Sequence, residues 1–153
     1  MEKFCFPRAV RGYEIDASGL LQSGNYFRYM EECECAFFKD MGLSFFKKGS
    51  EVVFPRVSTH CKVHLPIKNE DELFITPYLE KISRSSITFL FEFFKQDKEG
   101  NRYLVAQGGF SIVACIYNED EKKLMSTPMG DDMRNKLLAY KDMYDTSAEP
   151  ITS

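Results

Sequence analysis

The sequence predicts an α+β fold in which one long helix packs against an antiparallel sheet of about five strands. One stretch with helical spacing follows a short first strand, and three or four long strand-like runs joined by short turns come after it. Helix and strands are therefore segregated along the chain, which is typical of this class. Because 153 residues suit one core, we expect a single domain over residues 1–153.

The segment before the helix contains the best candidate for chemistry. We predict a first strand over Pro7–Ile15, interrupted by Gly12, and then a turn around Ser18 and Gly19. Asp16 then lies a few residues before a helix N-terminus, whose unpaired N–H groups and dipole favour a developing oxyanion. The alternative is that Asp16 only builds the turn, by accepting a hydrogen bond from the backbone two residues later.

The long helix is predicted from Asn25 to Met41. Ser23, Gly24 and Asn25 each suit the cap position, and Gly42 suits the left-handed conformation that ends many helices. Apolar residues recur there at spacings of three and four, which indicates one buried face. That face comprises Tyr26, Tyr29, Met30, Cys33, Ala36, Phe37 and Met41.

The second half of the chain is predicted to form most of the sheet. Alternation over Val57–Leu65 indicates a half-buried strand, and Pro77 indicates an edge or a bulge. The run Ser86–Lys95 is dense in β-branched and aromatic residues and should be central. Gly108 and Gly109 indicate a bend or bulge, or a place where the helix backbone comes close. The other predicted elements are strands Glu72–Ile82 and Arg102–Tyr117, a hairpin turn at Asp97–Asn101 and a loop over Asn118–Lys123.

Two segments flank this sheet. Phe45 and Phe46, in the connection after the helix, are expected to lie beneath it. Pro128 opens a second helix, predicted over Met129–Met143, because proline is favoured in the first turn. The residues from Tyr144 onward are expected to fray.

Composition excludes several classes of function. The formal charge of −3 provides no basic surface for nucleic acid. Five cysteines without regular spacing predict neither a disulfide framework nor a metal site. No apolar run approaches the roughly 20 residues that span a bilayer, and no signal sequence is recognisable, so we expect a cytoplasmic protein without membrane association.

The remaining polar residues have structural explanations as well as chemical ones. Glu31, Glu32 and Glu34 are expected to form the solvated flank of the helix, although Glu32 could reach the site as a second carboxylate. His60 and His64 share one strand face and are expected to be surface or interface residues, with a proton shuttle or a metal pair as the alternative. No serine lies in a G-x-S-x-G elbow, which disfavours an α/β-hydrolase triad.

Asp16, Gly19, Asn25 and Tyr26 form a pattern of an aspartate, a small-residue turn ending in glycine, and an Asn-Tyr pair that opens the helix. This pattern resembles that of hotdog-fold acyl-CoA thioesterases of the 4-hydroxybenzoyl-CoA thioesterase type. The likeness runs from about Arg8 to Tyr140 and continues in Asp71-Glu72-Leu73, in Ser83 to Phe89 and in Thr127-Pro128.

The resemblance implies a hotdog, in which a curved antiparallel sheet wraps the long helix and protomers pair edge to edge into a dimer or tetramer. The active site then lies at the subunit interface. Asp16 corresponds to the catalytic carboxylate and Ser23 to the position whose amide polarises the thioester carbonyl, followed by Gly24 and Asn25. The expected substrate-binding residues are Tyr26, Arg84, Ser85 and Lys62, and Lys81 is a further candidate for the CoA phosphates.

The implied reaction is hydrolysis of an acyl-CoA, and it needs no cofactor or metal because CoA is part of the substrate. Related branches carry a histidine where Ser23 stands, or lack the aspartate, so Asp16 favours the aspartate-using type. Whether Asp16 attacks the carbonyl or activates a water is open. The alternatives are an acyl-carrier-protein thioesterase, a hotdog hydratase or dehydratase, and a non-catalytic acyl-binding protein.

Overall fold

The computed structural model describes residues 2–44 and 49–144. In them, a five-stranded antiparallel sheet of order β1-β3-β4-β5-β2 packs against helix α1, which confirms the predicted α+β class. A two-stranded hairpin, β6–β7, and a second helix, α2, follow the sheet along the chain. The elements are β1 (Phe6–Ala9), a 3-10 turn (Gly12–Glu14), α1 (Gly24–Asp40), β2 (Arg56–Val63), β3 (Glu72–Ile82), β4 (Ser86–Gln96), β5 (Arg102–Val113), β6 (Cys115–Asn118), β7 (Lys123–Ser126) and α2 (Asp131–Tyr144).

Helix α1 forms the predicted central helix. It ends at Asp40, and Gly42 adopts the left-handed conformation with φ 70°, as expected for a glycine stop. At its start Ser23 has helical dihedral angles and its side chain makes no capping hydrogen bond. The buried residues of α1 are Tyr26, Tyr29, Met30, Cys33, Glu34, Phe37 and Phe38.

Strand β4 is central, as predicted, and its helix-facing residues Ile87, Phe89, Phe91 and Phe93 are fully buried. The neighbouring strand β5 approaches α1 at Gly108. A Cβ atom added there would lie 2.8 Å from Met30 Sδ of α1 and 2.8 Å from a backbone oxygen of β2. The helix therefore approaches β5 at Gly108 through the Met30 side chain, and not through its backbone as predicted.

Strand β2 differs from its prediction. It lies at one edge of the sheet and, among residues 2–44 and 49–144, pairs with no strand but β5, so Val57 and Val63 stay 62% and 48% exposed. The predicted half-buried strand is therefore wrong for the isolated protomer. At the other side, β1 pairs only with Glu72–Ile75 of β3, so Pro77 lies in an unpaired stretch of that edge, as predicted.

The first strand is shorter than predicted. It ends at Ala9, and a 3-10 turn over Gly12–Glu14 replaces its second half. The Arg11 amide donates to the Glu14 carboxylate at 2.9 Å and the Glu14 amide donates to the Arg11 carbonyl at 2.9 Å. These two bonds close a tight turn, which a pattern of apolar alternation cannot reveal.

The end of the sheet also differs from its prediction. The chain bends after Val113, because Ala114 donates to Ser85 and accepts from Thr127, and β6 then pairs with β7. Helix α2 begins at Asp131 instead of Met129 and extends to Tyr144. Phe45, Phe46 and the tail from residue 145 lie outside the described residues.

Candidate active site

Asp16 builds a tight turn and retains one unused oxygen. Its Oδ1 accepts hydrogen bonds from the Ser18 hydroxyl at 2.5 Å, the Ser18 amide at 2.8 Å and the Leu20 amide at 3.2 Å. The hydroxyl, followed by the two amides, lowers the pKa of Asp16, so the carboxylate is ionised at neutral pH. Among the described residues Oδ2 accepts no hydrogen bond, and Asp16 is exposed.

The same turn occurs a second time in the chain, at the β4–β5 hairpin. Asp97 Oδ1 accepts from the amides of Glu99 and Asn101 at 3.0 and 2.8 Å, as Asp16 does from residues two and four positions later. Gly100, with φ 88°, corresponds to Gly19, with φ 87°. Asp16 thus builds a turn, as the alternative interpretation predicts, and whether it does only that is a separate question. Any chemistry of Asp16 must come from its location.

That location is the N-terminus of α1. The Gly24 amide donates to Gln22 Oε1 at 3.1 Å and the Asn25 amide donates to the Gln22 carbonyl at 2.9 Å. The Ser23 amide donates to no acceptor within residues 2–44 and 49–144. An unpaired N–H group at a helix start is suited to stabilising an oxyanion.

The Asp16 turn and the helix start are joined through Glu14. The Glu14 carbonyl accepts from the Gln22 amide at 2.9 Å and from Asn25 Nδ2 at 3.0 Å. Ile15 and Leu21 form an antiparallel bridge between the same segments. Asn25, predicted as a catalytic residue, therefore contacts the backbone that carries Asp16.

Tyr26 and Lys62 do not share a surface in the protomer. Tyr26 is buried against Phe93, with ring centroids 6.1 Å apart, and burial, followed by Cys61 and Asp16, raises its pKa to about 12. Lys62 pairs with Gln107, on the sheet face opposite that of Cys61 and the helix.

Arg84 and Ser85 lie far from Asp16 within one protomer. They form the β3–β4 turn, just before Ser86, whereas Tyr26 contacts β4 at Phe93. Seven residues of strand separate these points by roughly 23 Å. One protomer therefore does not bring the predicted phosphate-binding residues to the carboxylate.

Glu34 corrects the prediction for the helix flank. It is 1% exposed, forms an ion pair with Arg56, and its Oε2 has no hydrogen-bond partner in the described residues. Burial, opposed by Arg56, raises its pKa to about 7. Glu31 is exposed as predicted and also contacts Arg56, at 3.2 Å, whereas Glu32 binds Arg8 at 2.7 Å and so does not approach Asp16.

The two histidines lie away from the helix. His60 and His64 lie on the sheet face opposite α1, and His64 Nε2 is 3.0 Å from Gln107 Oε1. In the part of the chain that the structure describes, no three His, Cys, Asp or Glu residues are grouped to hold a metal ion. No helix among those residues is long and apolar enough to cross a membrane. The contacts that sequence analysis missed, those of Glu14 with Arg8 and Tyr29, join residues six and fifteen positions apart.

A long helix wrapped by a five-stranded antiparallel sheet defines a hotdog-fold protein. The chain belongs to the thioesterase-like superfamily, whose family model matches residues 10–137. The resemblance stated from the sequence is thereby confirmed.

Several known proteins are similar. A protein of Aquifex aeolicus named "Putative esterase" is 35% identical over 97 residues, which are 61% of this chain and 74% of that protein. A mutant 4-hydroxybenzoyl-CoA thioesterase bound to 4-hydroxybenzoyl-CoA superposes with a TM-score of 0.78 at 16% identity, covering 88% of this chain and 98% of the other. A 1,4-dihydroxy-2-naphthoyl-CoA thioesterase from Synechocystis has a TM-score of 0.76 at 15% identity, covering 90% and 96%.

Proposed function

We propose that this protein is an acyl-CoA thioesterase in which Asp16 acts on a thioester whose carbonyl is polarised by the Ser23 amide. The observation that carries the proposal is that, among the described residues, Asp16 keeps one carboxylate oxygen without a hydrogen bond while the Ser23 amide at the start of α1 has no acceptor. The Glu14 carbonyl, two residues before Asp16, accepts from the Gln22 amide and from Asn25 Nδ2, and so links the Asp16 segment to the helix start. Membership of the thioesterase-like superfamily, and the CoA thioesters in the names of similar proteins, support the substrate class.

Two routes are compatible with this geometry. In one, Asp16 Oδ2 attacks the thioester carbon, the C–S bond breaks, CoA leaves as a thiolate, and water hydrolyses the resulting mixed anhydride. In the other, Asp16 takes a proton from a water that attacks the same carbon. Because hydrogen bonds lower the pKa of Asp16, it is a weak base, and its contribution comes from position.

The proposed active unit is a dimer that pairs along β2. The outer edge of β2 has no partner strand in the described residues, and exposed Val57 and Val63 flank it. Antiparallel pairing of two β2 strands places the Arg56 end of β2 in one protomer beside the Val63 end of β2 in the other. Arg84 and Ser85 of one protomer would then approach Asp16 of its partner, where the phosphates of CoA need cationic and hydroxyl groups.

A thiol-release assay over a panel of acyl-CoA and acyl-carrier-protein thioesters tests the function. We expect release of free thiol from at least one acyl-CoA, and a loss of about 100-fold or more in turnover for Asp16→Asn, as for a positioned base or nucleophile. Asp97→Asn is the matched control, since it alters the same turn at the hairpin. Undiminished rates in Asp16→Asn would remove this residue from the mechanism.

The same panel separates the alternatives. A hydratase or dehydratase alters the acyl group without releasing thiol, and an acyl-binding protein does neither. A carrier-protein thioesterase releases thiol only from the carrier-bound substrates. If the protein hydrolyses none of the thioesters but binds acyl-CoA saturably, it is a binding protein and the proposed enzyme function is wrong.

A further inference from the structure

We propose that Arg8, Glu14, Tyr29 and Glu32 form a clamp that positions the Asp16 turn against the start of α1 and thereby sets the rate of hydrolysis without contacting substrate. We refer to these four residues as the Glu14 clamp. The inference rests on the proposed function of Asp16, and it assigns positioning residues to that site.

The centre of the clamp is a buried carboxylate two residues before Asp16. Glu14 is 3% exposed, and it accepts from the Tyr29 hydroxyl at 2.7 Å and the Arg11 amide at 2.9 Å. The Arg8 guanidinium adds two bonds, at 3.0 and 2.8 Å. Burial alone would raise the pKa of Glu14, but these hydrogen bonds together lower it, so the carboxylate remains charged and fully bonded.

Arg8 joins three elements of the structure. It donates to Glu32 Oε1 of α1 at 2.7 Å, to Glu14 of the 3-10 turn, and to the Ala9 carbonyl of β1 at 2.5 Å. Its guanidinium also lies over the Tyr29 ring, 4.3 Å from the centroid. A shift of α1 along the sheet would therefore break several charge-assisted bonds together.

The contacts of α1 with this segment come from a single stripe of the helix. Asn25, Tyr29 and Glu32 are spaced at i, i+4 and i+7, which places them on one face. Asn25 holds the Glu14 carbonyl, Tyr29 holds the Glu14 carboxylate, and Glu32 holds Arg8. The main chain and the side chain of Glu14 are thus both bonded to α1, and the Ser23 amide just before this helix is the proposed oxyanion donor.

This arrangement determines how Asp16 and the Ser23 amide face each other. Both lie in exposed positions, and the turn of Asp16 is the same as that of Asp97, so the turn does not itself specify the distance to α1. The Glu14 clamp supplies the missing constraint. A misplacement of about 1 Å at a reacting group can cost on the order of 100-fold in rate.

Tyr29→Phe tests the clamp because it removes one hydroxyl and retains the ring beneath Arg8. We expect the kcat for thioester hydrolysis to fall about tenfold while KM changes less than about twofold. Tyr78→Phe is the matched control: Tyr78 is also buried, its ring lies 4.8 Å from Lys3 Nζ, and its hydroxyl accepts from Lys3 at 3.2 Å.

A double-mutant cycle shows whether Tyr29 acts through Asp16. If it does, Tyr29→Phe adds no further loss to Asp16→Asn, because the group it positions is already absent. Additive losses in the double variant, or full activity in Tyr29→Phe while Asp16→Asn is inactive, would overturn the clamp and leave the proposed function intact.

Amide hydrogen exchange provides a readout independent of activity. In Tyr29→Phe we expect exchange of the Asp16, Leu20 and Gln22 amides to accelerate about tenfold, with the β4 amides unchanged. Unchanged exchange in this turn would refute the clamp even if the protein hydrolyses no thioester. The failure of the proposed function, by contrast, would appear as an inactive wild-type protein.

Discussion

At the scale of single residues, Glu34 is the carboxylate whose charge is most strongly disfavoured. Its raised pKa of about 7, against a usual 4.5, means that the folded protein binds a proton more tightly than the unfolded chain between these pH values. The free energy of unfolding must therefore fall as pH rises through this window. The change is on the order of 3 kcal/mol, from about 1.4 kcal/mol per pKa unit.

We expect Glu34→Gln to remove this part of the pH dependence. Urea denaturation at a series of pH values between 5 and 8 measures it, with Glu31→Gln as the control because Glu31 is exposed and contacts the same Arg56. Equal slopes for wild type and Glu34→Gln would show that Glu34 titrates normally.

The residues of the candidate site differ in whether their role could be predicted from neighbouring residues in the sequence. Asp16 and Ser23 could be identified from the sequence because turn and helix start are adjacent in the chain. Glu14 and Arg8 could not, since Arg8 and Glu32 are 24 positions apart and meet only once β1 lies beside α1. Helical spacing places Glu34 on the solvated flank. Its burial and its ion pair with Arg56 of β2 cannot be predicted from that spacing.

At the scale of elements, the contact between α1 and β5 depends on a missing side chain. Gly108→Ala would place a methyl group 2.8 Å from both Met30 Sδ and the His60 carbonyl oxygen. The thioether can move but the backbone oxygen of a paired strand cannot easily do so, so we expect a loss of about 1–3 kcal/mol in the free energy of unfolding.

Chemical denaturation of Gly108→Ala, with Gly12→Ala as the control, measures this loss in the free energy of unfolding. An added Cβ at Gly12 has its nearest neighbour at 3.7 Å, so the control should differ from wild type by no more than about 0.5 kcal/mol. Equal stability of the two variants would mean that β2 and β5 separate without cost.

Elements with strong local patterns were predictable, and those defined by distant partners were not. Helix α1 and strand β4 follow from spacing and composition alone. The 3-10 turn at Gly12–Glu14 depends on a side chain bonding back to the backbone, and the end of β5 depends on Ser85 and Thr127. Neither the 3-10 turn nor the end of β5 can therefore be predicted from apolar patterns in the adjacent sequence.

At the scale of the whole molecule, the exposed face of β2 is where the proposed dimer would pair. Val57→Lys would place a charged side chain in the apolar face that a two-fold pairing of β2 strands would bury. We expect the dimer to weaken by about 100-fold or more, with loss of hydrolysis because Arg84 and Ser85 would no longer reach the partner's site.

Light scattering coupled to gel filtration, run with activity assays, checks this expectation. Met143→Lys is the control, because Met143 is 59% exposed, close to the 62% of Val57, but lies on α2. A dimer that persists in Val57→Lys would place the interface elsewhere. The alternation in β2 could be recognised from the sequence, but an apolar face covered only by another protomer cannot be distinguished from one covered by the chain's own helix.

The repeated aspartate turn has a consequence for how such sites arise. Replacing residues 17–20 by the residues found at 98–101 should preserve the backbone bend, since both copies use the same amides and the same left-handed glycine. The same turn is a candidate reaction centre at Asp16, where it lies beside a helix start, and a plain hairpin turn at Asp97. Searches that compare local loop geometry would retrieve both copies equally, and only their neighbourhoods tell them apart.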